Sequence, residues 1–133
     1  MKYILILPLL AIFLSCTKSK KKKKSIVGTW NISEFYNSQQ SSTSFVDTTV
    51  YNVGSLTFNK AGTGKWEIPG FNTDSFTWTN DSENIYLVLN NPYNSKDTLE
   101  ILEFSKNKII VKSMDTENAT GLITFLYKYT LNK

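Results

Sequence analysis

The chain has 133 residues, no histidine, no arginine and one cysteine. Without histidine the Ser-His-Asp and Cys-His machineries, the commonest general base and nearly every zinc site are excluded; a lone cysteine excludes an intramolecular disulfide. The net charge of +4 sits near the start, since from Ser25 onward eight lysines face eleven acids and leave −3, which argues against nucleic acid as a partner.

Met1, Lys2 and Tyr3 lead into an apolar run over residues 4–14, followed by Ser15 and Cys16. That is the layout of a secretory signal. The run is shorter than the ~20 apolar residues a membrane span needs, and Pro8 interrupts it. Phe13-Leu14-Ser15-Cys16 resembles the lipobox of bacterial lipoproteins. The resemblance implies a signal peptide over residues 1–15 and Cys16 as first mature residue, acylated by a palmitate-type lipid. The protein is then expected in the bacterial cell envelope, anchored to a membrane, the outer one by preference.

Residues 16–24 carry the lipid attachment and a low-complexity lysine tract. Like charges repel and nothing there can be buried, so a disordered, extended tether is expected. The tract could also hug anionic headgroups or serve as a sorting signal. Residues 25–133 are the domain, long enough for a sizeable core.

Ile26, Trp30 and Ile32 share one parity, with Gly28 between them, which reads as a half-buried strand. Gly28 leaves room for a neighbouring backbone or a large ring. Trp30 is the large apolar plug near one end of whatever this strand helps to enclose. The strand is expected over residues 25–37, with a bulge near Ser33 and Glu34, because Phe35 falls on the opposite parity. Residues 37–42 are polar and read as a loop.

Residues 45–52 are rich in β-formers and read as a second strand. Residues 55–58 and 64–68 alternate on either side of the turn at 59–62, a hairpin with Leu56, Phe58, Trp66 and Ile68 as its apolar members. After Pro69-Gly70, strands are expected over 75–79, 85–89, 98–104 and 109–112, with turns at 80–83 and 105–108 and a loop at 90–95. The closing strand, 122–131, carries Ile123, Phe125, Tyr127, Tyr129 and Leu131 on one parity. No segment has helical spacing over ten residues or more. Eight or nine short strands joined by tight hairpins predict an all-β domain, a single antiparallel up-and-down barrel, because closure removes exposed edges.

Gly28-Thr29-Trp30 at the start of the first strand is similar to the G-x-W of lipocalins. Phe58 to Gly64 followed by Trp66 resembles the F-x-x-x-G-x-G hairpin of lipocalin-like domain lipoproteins of the Bacteroidetes type. Phe76-Thr77-Trp78, the 99–104 strand and the closing Tyr127-to-Lys133 segment fit the rest of that pattern. The resemblance covers nearly all of residues 25–133. It implies a lipocalin-like barrel whose central cavity takes a small apolar ligand. Lipocalins place an arginine over this tryptophan; here Lys128 is the expected cation–π substitute over Trp30.

No catalytic group, cofactor or metal is expected. Gly62 and Gly64 sit in a hairpin and not before a helix, so they make no phosphate loop. The acids, among them Asp81, Glu83 and Asp97, are read as a solvated face, and residues 115–118 as a turn. The aromatics either fill the interior or line a pocket. In the second case Trp30, Phe58, Trp66, Trp78, Leu87, Phe125 and Tyr127 are the candidate ligand-binding residues. Two functions follow: a non-enzymatic envelope lipoprotein whose barrel binds a small hydrophobic or amphiphilic molecule, or a structural lipoprotein with a solidly packed barrel whose loops meet an unspecified protein partner. An acid-pair hydrolase is a third, and needs two carboxylates facing each other across a cleft.

Overall fold

The computed structural model describes residues 25–90, 92, 94–117 and 121–133. The expected signal peptide, Cys16 and the lysine tether lie outside the described residues. Eight strands follow one another: β1 (Gly28–Gln40), β2 (Phe45–Phe58), β3 (Thr63–Glu67), β4 (Asp74–Asn80), β5 (Asn84–Leu89), β6 (Lys96–Phe104), β7 (Lys108–Glu117) and β8 (Ile123–Asn132). Each pairs antiparallel with the next, and β8 returns to β1, so the sheet closes into an up-and-down barrel. No helix is found among the described residues.

The bulge expected near Ser33 is present, as a register shift between Ile32 and Glu34 against both β2 and β8. It carries the inward face from Trp30 and Ile32 over to Phe35.

The strand bounds differ from expectation in three places. Residues 37–40 continue β1 as a strand, paired with β2 on one side and β8 on the other; ladder pairing overrides their polar composition. The segments 45–52 and 55–58 are one strand, bent by Asn52 at φ 54° and Gly54 at φ 150°. A methyl group at Gly54 would also collide with the Glu67 carbonyl of β3, so glycine is required twice over. Residues 115–117, read as a turn, extend β7 against β8.

The strands are unequal. β1, β2, β7 and β8 have 13, 14, 10 and 10 residues and form a tall wall, whereas β3, β4 and β5 have 5, 7 and 6. The β2–β3 ladder spans only Ser55↔Glu67 to Phe58↔Gly64. The β6–β7 ladder ends at Glu100↔Lys112, above which β6 pairs with β5 and β7 with β8. The barrel is thus tightly laddered at one end and parts at the other.

The laddered end is full. Trp30, Ile32, Leu56, Phe58, Phe76, Ile85, Ile109, Val111 and Leu131 are all at most 1% exposed. Phe58 leans on Phe76 at 5.6 Å and meets Trp78 edge-on at 5.3 Å. Gly64 makes room here: a Cβ on it would strike the Phe76 ring and the Thr57 carbonyl. Ile26 caps this end, fully buried, and its carbonyl accepts the Trp30 indole N–H at 2.7 Å. The ring therefore enters the core with its one polar atom satisfied.

The group lying over Trp30 is not Lys128. Lys133 Nζ stands 4.5 Å from the Trp30 ring centroid, while Lys128 Nζ lies 5.5 Å over Tyr36. Lys128 is paired with Tyr36 across β1 and β8 and alternates outward from Tyr127 and Tyr129. Lys133 has left the strand and folds back under the closed end. Its side chain, at 3.4 Å from where a Gly28 Cβ would stand, uses the space expected for a backbone or a ring.

Candidate ligand cavity

Above the packed layer the barrel is hollow. A cavity of about 580 Å³ is lined by residues of β1 to β3 and β5 to β8, among them Phe35, Val53, Trp66, Ile68, Leu89, Tyr127 and Tyr129. That volume lies within the range of small-molecule sites. It opens toward the end of the barrel where β2 parts from β3 and β6 from β7.

Its back wall is aromatic. Phe35 follows the β1 bulge and pairs with Tyr129, and Asn37 pairs with Tyr127. The Phe35 ring stacks on Tyr129 at 5.0 Å and lies nearly parallel to Tyr127 at 6.2 Å. Phe125 continues the row at 6.4 Å from Tyr127. Across from them Trp66 meets Tyr129 edge-on at 5.5 Å. Strand pleat puts Phe125, Tyr127 and Tyr129 on one face, so a single strand supplies a ladder of rings.

Polar groups enter this wall at few points. Ser113 is buried in the lining. The indole N–H of Trp66 and the side-chain oxygen of Asn37 are buried with no hydrogen-bond partner among the described residues. Two carboxylates, Asp97 and Asp115, also line the cavity. Asp97 is half-buried, on the parity of Leu99 and Ile101. Loss of solvent pushes its carboxyl above the ordinary carboxylate value, the Thr98 amide opposes that, and the charge of Asp115 adds to it. The hydroxyls of Tyr127 and Tyr129 are likewise pushed up, first by burial and then by nearby charge: Asp115, Glu117 and Asp97 act on Tyr127, and Asp97 on Tyr129. Asp97 was expected on a solvated face; it alternates inward because it continues the β6 core parity.

The candidate residues fall into two groups. Trp66 and Tyr127 line the cavity, and Phe125 stands one step above Tyr127 on the same face. Trp30, Phe58 and Leu87 lie in the packed layer. Trp78 packs against that layer and donates its indole N–H to the Thr63 carbonyl at 2.9 Å, at the closed end. Phe35, Val53, Leu89, Asp97, Ser113, Asp115 and Tyr129 were not singled out. A meander alternates direction, so starts of odd strands and ends of even strands share one end. With Trp30 at the closed end, that rule alone raises Phe35, Val53, Leu89, Asp97 and Ser113 to cavity height.

As for the acid pair, Asp97 and Asp115 come together at the mouth. They belong to neighbouring strands on one side of the cavity and do not face each other from opposite walls. Among the described residues no group of three His, Cys, Asp or Glu side chains is placed to hold a metal ion.

An eight-stranded antiparallel calyx, plugged by a tryptophan from the first strand at one end and hollow at the other, is a barrel of the ligand-binding kind. The model of the lipocalin-like domain family matches residues 26–111, β1 to the middle of β7. The chain belongs to that family. The remaining part of β7 and β8, which complete the barrel, lie beyond the matched stretch. Comparison with curated proteins finds no match.

Proposed function

We infer that the protein is a non-enzymatic carrier: an envelope lipoprotein whose barrel holds a small hydrophobic or amphiphilic molecule. The cavity carries this reading. A barrel serving only as a packed scaffold fills its interior with side chains; here the filling stops at Ile32, Phe76 and Val111, and about 580 Å³ above them stays open. The wall is mostly apolar and aromatic, with a few polar groups, the composition expected of a small-molecule site.

The lipobox-like Phe13-Leu14-Ser15-Cys16 supports the envelope assignment. Ser25, the first described residue, is beside the buried Ile26 at the closed end. A lipid on Cys16 would therefore tether the barrel through its closed end. Phe45 and Leu122, each at least 60% exposed, stand at the starts of β2 and β8 at the opposite end and would meet an incoming apolar ligand first.

Native mass spectrometry of the protein purified from its own host, with extraction of co-purifying small molecules, tests the carrier reading. A stoichiometric apolar or amphiphilic molecule is expected. A clean apo mass, with no rise in melting temperature across a lipid panel, would instead favour a barrel that works through protein partners. For the anchor, Cys16→Ser should remove the acyl mass and release the protein from the membrane fraction.

A further inference from the structure

The polarity of the cavity mouth has a definite sign. Asp97 and Asp115 stand on the two strands that part above Glu100↔Lys112; both line the cavity, and the charge of Asp115 reaches Asp97. Each accepts a hydrogen bond from the next residue's amide, Thr98 at 2.7 Å and Thr116 at 2.8 Å. Neither is in an ion pair among the described residues, although Lys65, Lys108 and Lys112 each find an acid elsewhere on the barrel. Glu117 follows on the parity of Asp115 and is close enough to act on Tyr127. Among the described residues the one basic residue on the lining, Lys96, is exposed and alternates away from Asp97 on β6.

Asp97 is half-buried, so its charge is unfavourable there unless something neutralises it, and the negative charge of the exposed Asp115 nearby adds to that. The rings of Tyr127, Tyr129 and Phe35 line the same cavity, and the Asp97 charge acts on both tyrosine hydroxyls. Aromatic faces attract cations, more strongly where water is excluded. Among the described residues no third His, Cys, Asp or Glu converges with the two carboxylates as a metal ion would need. An organic cation fits, since it needs charge compensation and ring faces and no fixed coordination number.

We propose that the cavity takes amphiphiles with a cationic head, an amine or a quaternary ammonium. The charge sits between Asp97 and Asp115, and the apolar body lies against Phe35, Trp66 and Tyr129. This rests on the carrier reading and gives its ligand a charge. A fatty-acid carboxylate would bring a third negative charge to the same mouth and is disfavoured.

Binding of three probes of equal chain length, octyltrimethylammonium, 1-octanol and octanoate, to the purified protein by calorimetry tests it. The cation is expected to bind about tenfold or more tighter than octanol, the effect of a charge pair or a desolvated cation–π contact, and octanoate most weakly. The preference should shrink as salt is raised. Asp97→Asn with Asp115→Asn should bring the cation down to the octanol level and leave octanol unchanged. Equal affinity for the three probes, or tightest binding of octanoate, overturns the cation preference while the carrier reading stands. Binding of none of the three overturns the carrier reading, and this inference with it.

Discussion

In the closed half of the barrel Trp30, Phe58 and Phe76 are at most 1% exposed and belong to one buried cluster. In the open half Phe35, Trp66 and Tyr127, also pointing inward but from β1, β3 and β8, are only partly covered and face a cavity. Composition does not separate the two sets, since both are aromatic. What separates them is ladder length. Where every strand pairs with both neighbours, eight strands leave room for side chains alone. Where β2 outruns β3 and β6 leaves β7, the wall opens and the same ring types line a space. The closed half supplies stability; the open half holds groups that cost stability, the half-buried Asp97 and the buried polar atoms of Asn37 and Trp66 that have no partner among the described residues.

Substitutions should divide along the same line. The largest effect is expected at Trp30: Trp30→Ala removes the buried plug and its bond to Ile26, and chemical denaturation should show a loss of ~3–5 kcal/mol. A loss near zero would mean that the ring does not organise the base. Next comes Gly64→Ala, which drives a methyl into Phe76 and the Thr57 carbonyl and should cost ~1–3 kcal/mol by the same measurement. Tyr127→Ala should cost less than half of the Trp30→Ala value, because its ring is only half-packed, yet it should weaken ligand binding, which Trp30→Ala in its folded fraction need not. Equal costs at Trp30 and Tyr127 would erase the distinction between the halves. Lys133→Met should cost the least, at most about 1 kcal/mol, the scale of one cation–π contact.

Asp97 sharpens the comparison with a change of sign. Its folded carboxyl titrates above the ordinary value, so the folded state holds its proton to higher pH than the unfolded chain does. Stability from this group is therefore greatest below the unfolded value and falls as pH rises through the raised folded one. Asp97→Asn should make the empty protein more stable at neutral pH, with the gain fading as pH drops toward the ordinary carboxylate range. Thermal melts of both forms between pH 3 and 7 check this (the pH limits are set by the ~3.9 of a free Asp). A stabilising substitution that lowers ligand affinity is the pattern of a binding residue rather than a structural one.

Much of the fold is readable in the residues. Alternation places all eight strands, and the parity break at Phe35 marks the β1 bulge. Gly62 and Gly64 mark the β2–β3 hairpin, but the ring that needs the missing side chain stands at Gly64 and not at Gly28, where the room was expected. The joining of 45–52 to 55–58 is not readable, because Asn52 and Gly54 look like a turn unless one knows that β1 runs unbroken beside them. The cavity was half legible. Inward parity picks out Trp66 and Tyr127 together with Trp30 and Phe58, but parity says nothing of height along the barrel, and height decides which ring is core and which is wall. The acids were missed for the same reason. Asp97 looks like a surface charge beside Lys96 and becomes a lining group only when β6 is followed down to Leu99. Lys133 was missed because it lies past the end of β8, where alternation carries no signal.

The claim that the upper half alone is a binding space can be tested by mapping amide and indole NMR shifts while octyltrimethylammonium is titrated into the labelled protein. The account predicts saturable shifts at Phe35, Trp66, Asp97, Ser113 and Tyr127, with the Trp30 indole, Phe58 and Ile109 unmoved. Shifts centred on the Trp30 indole and Phe58, or scattered over the outer faces of the strands with no saturation, would contradict it.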